Sequence, residues 1–296
     1  MMEMPIVKTF GIGHGDMYYI VHGSDNFTIV DCTIPDEREG EILDEVAALA
    51  AQKGIVRVIS THPDQDHLTG LCELDDRIKI TNFYCVNNQS TKQDPTSDFI
   101  RYCELRDSEK AYYLYRGCSR KWMNQSDDER GSSGINIRWP VTDDPDYKNA
   151  LEVTKNAGSP NNVSIVMTYS LENGATFMWM GDLETEFMEK VQDSISLPRA
   201  DILFAPHHGR KSGRVPNKWL SEIDPRIVVL GQAPSEYLHY YPGYDLITQN
   251  SALDVTFEAI DSKVHIFTSS NTYTAAFLVN ENRPNTHGRY IGTLPL

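Results

Sequence analysis

The order of apolar and polar positions predicts a chain that alternates between strands and helices. Runs with a period of two residues predict strands, and runs with a spacing of three to four predict helices. The predicted strands of the first half are "IVKTFGIG", "MYYIVHG", "FTIVDC", "IVRVIS" and "KITNFYCV". The predicted helices of this half are residues 35–54, which end at Gly54, and a second helix that begins in "HLTGLCEL".

The second half of the chain continues this alternation. "SIVMTYS" and "ATFMWMGD" predict a β-hairpin that turns at Asn173 and Gly174. The other predicted strands are "INIRWPV", "ADILFAP", "RIVVLG", "KVHIFT" and "TYTAAFLV". Helices are predicted at about 184–192, in "PNKWLSEI" and at about 244–259. Hairpins mixed with helical crossovers in both halves predict an α/β fold, an αββα sandwich of two mixed sheets with helices on the outer faces.

Residues 89–134 differ from the rest of the chain. They are polar, rich in aromatic residues and without clear strand alternation. We therefore expect one domain over residues 1–296 with an insertion at about 89–134 on one rim. Basic and aromatic residues interleave between Arg101 and Arg138, as in surfaces that bind single-stranded nucleic acid. Because acidic residues nearly balance the basic ones, a packed lid or an oligomer contact is the alternative.

Composition restricts the class of protein. The chain has 296 residues, of which 40% are hydrophobic, enough for one large core or two modest ones. No apolar run is long enough to span a bilayer, and the first residues do not resemble a secretory signal. Five scattered cysteines without CxxC spacing indicate reduced thiols, so we expect a cytoplasmic protein with no membrane partner. The net charge of −15 argues against a broad nucleic-acid surface but permits a local basic rim.

Carboxylate and imidazole side chains follow four of the predicted strands. The residues are Asp31 after "FTIV", the group His62, Asp64, Asp66 and His67 after "IVRVIS", Asp182 after "ATFMWM", and His207 and His208 after "DILFAP". One Asp after a strand is usually a turn former or a helix cap. Four strand ends that carry such residues predict a metal site.

This set contains enough ligands for two divalent ions, with Asp182 as the bridge and either His207 or His208 as a ligand. Asp64 adds a hard carboxylate, which favours Mn²⁺ or Mg²⁺ but leaves Zn²⁺ open. Hydroxide bound to the ions would be the nucleophile, with Asp66 and Asp182 in the catalytic centre. We expect Asp31 to orient a ligand imidazole. Asp16 has either the same role or one in turn geometry.

Several motifs resemble the metallo-β-lactamase superfamily, and in particular its ComEC-type competence members and their stand-alone relatives. "THPDQDHLTG" resembles the HxHxDH motif, with Asp64 in place of the second His. Residues 13–16, "GHGD", resemble the GQGD signature of the competence members, and residues 161–164, "NNVS", resemble their NNxS motif. "GQAPSEYLHYYP" is similar to a late segment that contributes Tyr237 and His239. The resemblance covers residues 6 to about 280 except the insertion, and it implies a metallo-hydrolase of αββα fold.

The same resemblance raises two questions. The Asn161-Asn162 position has no third His, so binding of one ion instead of two remains open. The usual HHGS sequence reads His207-His208-Gly209-Arg210 here, which replaces a serine by a cation.

Substrate contacts are predicted beside the metal site. Arg210, Lys211, Arg214 and Lys218 form a basic run that would attract an anionic substrate, or else a solvated loop. Tyr237 and His239 would donate to a phosphate or a leaving oxygen, which makes His239 a third catalytic candidate, or they pack within a tyrosine-rich loop. Asn162 and Ser164 would bond substrate or a ligand, or form a turn.

We expect a metal-dependent phosphodiesterase, in particular a nuclease, with one or two Mn²⁺, Zn²⁺ or Mg²⁺ ions. Its partner would be an anionic substrate, either nucleic acid or nucleotide. The first alternative is hydrolysis of a small ester, lactam, nucleotide or peptide. The second is a non-catalytic metal-binding module that uses the insertion for partners. The full ligand set argues against that module.

Overall fold

The computed structural model describes residues 4–232 and 239–296. Within these residues two β-sheets stack on each other, and helices cover their outer faces. The strands are β1 Ile6–Thr9, β2 Tyr18–Val21, β3 Asn26–Val30, β4 Ile55–Ile59, β5 Phe83–Cys85, β6 Ala111–Tyr113, β7 Ile135–Trp139, β8 Val166–Ser170, β9 Thr176–Trp179, β10 Ile202–Phe204, β11 Ile227–Leu230, β12 Asp245–Thr248, β13 Val255–Ile260, β14 Lys263–Thr268 and β15 Arg289–Pro295. The α-helices are α1 Glu39–Ala50, α2 Leu71–Ile78, α3 Ser97–Arg106, α4 Pro145–Lys155, α5 Thr185–Val191, α6 Asn217–Ile223 and α7 Gln249–Ala252.

Both sheets are mixed. In the part of the chain that the structure describes, the first sheet has nine strands in the order β15-β14-β13-β1-β2-β3-β4-β5-β6. The second has six strands in the order β12-β11-β10-β9-β8-β7. Strands β1, β2 and β3 pair antiparallel, and β3 pairs parallel with β4 after the crossover through α1.

Strand β2 shows how the layers are built. Tyr18 and Ile20 point into the core between the sheets, whereas Tyr19 and Val21 pack under α1, α2 and α3. All four side chains are buried because both faces of the sheet are covered. This arrangement explains why the sequence of β2 has no polar position between its apolar ones.

The second sheet is covered by α4, α5 and α6. On its outer face Trp139 of β7 makes edge-to-face contacts with Tyr147 of α4 and Phe187 of α5, with ring centroids 5.7 and 6.0 Å apart. The burial of these rings attaches the helices to the sheet. The predicted αββα sandwich is therefore confirmed.

The predicted helix at 244–259 is wrong. These residues form β12, the single turn α7 and β13. Val255, Phe257 and Ala259 recur with a period of two and are buried in the core between the sheets. Their alternation, with the β-branched Thr256 between them, favours a strand over a helix.

Two further differences concern the predicted elements. "TYTAAFLV" is not a strand, apart from an isolated bridge between Val279 and Thr293, and β14 pairs with β15 instead. Helix α4 was not predicted, although Asp144 caps it by accepting the backbone N–H groups of Asp146 and Tyr147, and Pro145 follows the cap.

The insertion contains regular structure that its polar sequence did not predict. Helix α3 buries Phe99, Tyr102 and Leu105 in the core under the first sheet. Strand β6 extends that sheet by pairing parallel with β5. Residues 97–113 are therefore integral to the sandwich.

No helix within residues 4–232 and 239–296 has the length and apolar character that a bilayer crossing requires.

Candidate metal centre

Chemically active side chains from both sheets meet at one edge of the sandwich. Asp31 follows β3, residues 61–67 follow β4, Asp182 follows β9, and His207 and His208 follow β10. The loop between β1 and β2 adds His14 and Asp16. Two groups of these residues hold ligand atoms within 4.8 Å of one another. They are Asp16, His67, Asp182 and His208, and His14, Asp66 and His208.

Asp182 lies at the centre of four imidazoles. Its Oδ1 is 3.1 Å from Nε2 of His67. Its Oδ2 is 3.9 Å from Nε2 of His62, 3.8 Å from Nε2 of His207 and 3.7 Å from Nε2 of His208. Two ligand atoms that bind one tetrahedral ion at about 2.1 Å lie about 3.4 Å apart. The spacing around Asp182 is therefore that of side chains that share ions.

The second ring nitrogen of each central imidazole has its own partner. Nδ1 of His67 lies 2.9 Å from Oδ2 of Asp31, which also accepts the hydroxyl of Thr61 at 2.7 Å. Nδ1 of His62 lies 3.1 Å from the Thr61 hydroxyl. Because a carboxylate accepts, Nδ1 of His67 carries a proton, which leaves Nε2, on the side of Asp182, available to a metal ion. Asp31 thus contacts an imidazole of the cluster, and its predicted role in orienting a metal ligand stays a prediction.

The central atoms form no hydrogen bond of acceptable geometry within the described residues, although two of them, Nε2 of His67 and Oδ1 of Asp182, lie 3.1 Å apart. These atoms are Nε2 of His62, Nε2 of His67 and Oδ1 of Asp182, and all three side chains are buried. Buried polar atoms are normally satisfied, and unsatisfied ones are costly. Imidazole nitrogens and a carboxylate oxygen that converge in this way fit one or two divalent ions.

The electrostatics of the cluster favour positive charge within it. Burial opposes protonation of His67, but Asp182 and Asp31 outweigh it and raise the pKa of His67 well above its ordinary value. Asp16 and Asp182 overcome burial in the same way and raise the pKa of His208 to about 10. Burial, together with the nearby His67, lowers the pKa of His62 to about 3. The carboxylates would stabilise a bound cation for the same reason.

Asp16 lies deeper in the centre than the sequence indicated. Its side chain is buried, and its Oδ1 is 3.2 Å from Nδ1 of His208. Gly15 makes this possible, because a Cβ there would lie 2.5 Å from the carbonyl oxygen of Asp66 and its φ is +124°. The backbone N–H of Asp16 donates to the same carbonyl at 3.1 Å. The glycine therefore lets the loop approach the ligands closely.

His14 is a site residue that the sequence reasoning did not assign. Its Nδ1 lies 3.0 Å from Oδ2 of Asp66, and its side chain is half exposed. Nε2 of His208 lies 3.3 Å from the same oxygen. The "GHGD" motif could have indicated this residue, because His14 replaces the Gln of the GQGD signature. One oxygen of Asp66 therefore lies close to two histidines, the exposed His14 and the buried His208.

Asp64 is not brought into either ligand group. Its Oδ1 accepts the backbone N–H of Gln65 at 2.8 Å and the ammonium of Lys92 at 2.7 Å. The backbone bond is the N-cap of the short 3₁₀ turn Gln65–His67. The HxDxDH pattern did not reveal this arrangement, because Lys92 lies in the insertion.

Two residues of the "NNVS" motif form hydrogen bonds next to the metal centre. Ser164 Oγ accepts the backbone N–H of Asp182 at 3.0 Å. Asn162 donates to Glu184 at 2.8 Å and accepts the N–H of Glu184 at 3.1 Å, just before α5. Ser164 therefore positions a candidate ligand, whereas Asn162 fixes the start of a helix.

The basic run divides into different environments. Arg210 is half-buried with an unpaired Nε, and its charge acts on His14 and His207. Lys211 is exposed. Arg214 donates to the carbonyl of Tyr240, and Lys218 pairs with Asp193. Among the described residues, Arg210 is therefore the member of the run whose charge acts on the imidazoles of the metal centre.

The late segment gives little support to the predicted donors. Tyr237 lies outside the described residues. His239 is exposed, and its side chain makes no contact with the ligand cluster in the part of the chain that is described. Its catalytic and substrate-binding roles stay predictions.

Comparison with known proteins places the chain in a family. Residues 11–207 match the family model of the Metallo-beta-lactamase superfamily. No curated protein sequence matches the chain at a significant level. Among solved structures, the metallo-β-lactamase SMB-1 in complex with mercaptoacetic acid shares 15% identity over 68% of this chain and 79% of its own, with a TM-score of 0.38. A presumed metallo-β-lactamase from Thermotoga maritima, tm0894, shares 14% identity over 67% of this chain and 95% of its own, with a TM-score of 0.39. On the family match, which covers well over half of its length, the chain belongs to the metallo-β-lactamase superfamily, a superfamily of metal-dependent hydrolases.

Proposed function

We propose that this protein is a metal-dependent phosphodiesterase that acts on nucleotides or short nucleic acids. The observation that carries the proposal is the cation of Arg210, which directly follows His207-His208-Gly209 and whose backbone N–H donates to the carbonyl of His207 at 3.0 Å. Its buried Nε has no hydrogen-bond partner within the described residues. Burial lowers the pKa of His14 and of His207, and the charge of Arg210 lowers both further, which supports a position near these imidazoles. A guanidinium in this position is suited to a phosphate group.

The donor set supports the same substrate class. Asp16, Asp66 and Asp182 supply three carboxylates to the two ligand groups, besides the imidazoles. Oxygen donors suit the harder ions that accompany phosphate chemistry, and imidazoles also suit zinc. Divalent ions held here would polarise a phosphoryl oxygen and lower the pKa of a water molecule.

The remaining steps fall to side chains of the protein. Asp31 keeps the proton of His67 on Nδ1, so that Nε2 faces the reaction centre. Ser164 fixes the backbone at Asp182. His14 is half exposed and lies beside Asp66, where it can contact a substrate that enters from solvent. Arg210 would bind the non-bridging oxygens of the phosphate as charge accumulates on them.

The charge of the chain favours short substrates. A net charge of −15 repels a long polyanion, and extended nucleic-acid binding requires many basic contacts. One cation beside a metal centre is sufficient for one phosphodiester group. The resemblance of "GHGD", "THPDQDHLTG" and "NNVS" to the competence proteins supports nucleic acid or its fragments as the substrate.

The test is hydrolysis by chelator-treated protein resupplied with Mn²⁺, Mg²⁺ or Zn²⁺. The substrates are bis-p-nitrophenyl phosphate, a dinucleotide, single-stranded DNA, double-stranded DNA and RNA, with a p-nitrophenyl ester and a β-lactam for comparison. Asp182→Asn removes the central carboxylate. Asp143→Asn is the matched control, because its side chain is 95% exposed and pairs with Lys148.

We expect metal-dependent cleavage of the diester and the dinucleotide that is lost in Asp182→Asn and kept in Asp143→Asn. Cleavage of the ester or the lactam alone would replace this proposal by hydrolysis of a small non-phosphate substrate. Bound metal without any hydrolysis would indicate a non-catalytic module.

A further inference from the structure

Lys92, a lysine of the insertion, is held against the loop that carries His62, Asp66 and His67, through its ion pair with Asp64. Its Nζ lies 2.7 Å from Oδ1 of Asp64 and 5.5 Å from the centre of the Phe99 ring. The side chain is 24% exposed. An ammonium held by a carboxylate and a ring face at the same time has a restricted position.

The segment that carries Lys92 is attached to both halves of the sandwich. On one side Ser90 accepts the hydroxyl of Thr154, and the N–H of Thr91 donates to the carbonyl of Thr154 at 3.1 Å, near the end of α4. On the other side the hydroxyl of Thr96 donates to the side chain of Gln65 at 2.7 Å. The segment therefore runs from α4 to the turn that carries the predicted ligands.

Asp64 connects this segment to the centre. It lies between His62 and Asp66 in the sequence, and its charge acts on the buried imidazole of His62. Its Oδ1 is already used by the N–H of Gln65 and by Lys92. Asp64 thus holds the ammonium of Lys92 at the rim of the centre.

We propose that Lys92 is a substrate-binding residue for the phosphate groups of the substrate, and that Asp64 is the residue that positions it. The inference rests on the proposed function for the kind of substrate. Asp64 then differs from the other acidic residues of the motif, because its removal disturbs anion binding and not metal binding. The insertion contributes a specificity determinant to the site in this way.

Within residues 4–232 and 239–296, the lysines of the basic run, Lys211 and Lys218, have different surroundings from those of Lys92. Lys211 lies on an exposed turn, and Lys218 is turned toward Asp193 and the carbonyl of Gln192. Lys92 is the lysine that pairs with a residue of the HxDxDH motif among the ion pairs of the described chain.

The test measures metal and phosphate binding separately. Metal stoichiometry and affinity are determined by equilibrium dialysis for Asp64→Asn and, as the matched ligand variant, Asp66→Asn. Binding of inorganic phosphate to the Mn²⁺-loaded protein is determined by calorimetry for Lys92→Ala, Lys92→Arg, Asp64→Asn and the control Lys148→Ala, an exposed lysine that also pairs with an aspartate. KM and kcat for bis-p-nitrophenyl phosphate and the melting temperature are measured for the same proteins.

We expect Lys92→Ala to weaken phosphate binding and raise KM by about tenfold, with kcat within about twofold of the original value. Lys92→Arg should restore most of the affinity, and Lys148→Ala should not change it. Asp64→Asn should keep its metal and weaken phosphate binding by about threefold, because Lys92 loses its fixed position. Asp66→Asn should lose metal.

Two results would overturn the inference. A lower melting temperature with unchanged KM and phosphate affinity in Lys92→Ala would make the pair purely structural. Loss of metal from Asp64→Asn to the extent seen in Asp66→Asn would make Asp64 a ligand. If bis-p-nitrophenyl phosphate is not hydrolysed but Lys92→Ala still weakens phosphate binding, the proposed function fails and this inference stands.

Discussion

Asp31 holds His67 by a hydrogen bond of 2.9 Å between Oδ2 and Nδ1, and both side chains are buried. The same carboxylate accepts the backbone N–H and the hydroxyl of Thr61, each at 2.7 Å. Asp31 itself has a positive φ of 56° at the end of β3, which turns its side chain toward the neighbouring strand. The pair therefore fixes which nitrogen of His67 is presented to Asp182.

Replacement of Asp31 by Asn should weaken metal binding without removing a ligand. The amide lacks the charge that stabilises the oriented imidazole, so we expect metal affinity to fall by about 10- to 100-fold. Competition with a chromophoric chelator measures the affinity, and circular dichroism checks that the fold is retained. Asp143→Asn is the matched control. An affinity within twofold of the original would show that the hydrogen bond does not contribute to metal binding.

Replacement of Arg210 by Ala should affect substrate binding more than metal binding. We expect KM for a phosphodiester to rise by about tenfold or more, because a charge-assisted contact to phosphate is lost. The salt dependence of KM should also become weaker. Arg199→Ala is the control, since Arg199 is an exposed arginine that pairs with Asp224. An unchanged KM with a reduced melting temperature would assign Arg210 to the fold alone.

The strands that carry the centre could be predicted because each is a short apolar run that ends at a ligand-type residue. Asp31 follows such a run directly, and His67 and Asp182 lie in the loops that follow two others; the packing of two sheets brings these strand ends to one edge. The helix predicted at 244–259 failed because its apolar residues fit either period over a short window. Helix α3 was missed because a thin apolar stripe, Phe99, Tyr102 and Leu105, is hidden in a polar segment.

The contacts between distant segments could not be predicted in the same way. The pairing of Asp64 with Lys92 depends on how the insertion crosses the edge of the sandwich, and local periodicity does not report that path. The depth of Asp16 depends on the positive φ of Gly15 and on its approach to Asp66. Motif spacing identified the residue types, whereas tertiary packing decided which of them share the centre.

Replacement of Gly181 by Ala should damage the metal centre through the backbone. Gly181 has a φ of +51°, and a Cβ would lie 2.6 Å from Oγ of Ser164. We expect a loss of about 2–5 kcal/mol in the free energy of unfolding from the strained φ and the overlap, together with weaker metal binding at Asp182. Urea unfolding and metal titration measure the two effects.

The control for this change is Gly40→Ala, in the exposed first turn of α1, where a Cβ has no neighbour within 4 Å. Alanine should stabilise that helix by about 0.5 kcal/mol. Similar stability of the two variants would contradict the role of Gly181 in placing Asp182.

Replacement of Asp254 by Asn should change the dependence of stability on pH. Asp254 accepts hydrogen bonds from both terminal nitrogens of Arg38, at 2.8 and 2.9 Å, and from the backbone N–H of Gly11, at 2.8 Å. Burial opposes ionisation of this carboxyl, but Arg38 and Gly11 outweigh it and hold its pKa below the ordinary value. A lowered pKa in the folded state stabilises the protein above the unfolded pKa of about 3.9, and this contribution is lost as the pH falls through the folded value.

We therefore expect Asp254→Asn to lower the free energy of unfolding by about 1.5–3 kcal/mol at pH 7. The difference from the original protein should shrink as the pH falls below about 4, where Asp254 becomes protonated in the unfolded state, and it should vanish once the pH lies below the lowered pKa of the folded state. Urea unfolding at pH 7, 5 and 3, with chelator in every sample, isolates this effect from metal binding. A difference of constant size across this range would mean that Asp254 stabilises the fold through its shape and neutral hydrogen bonds. The attraction between its negative charge and Arg38 would then not contribute.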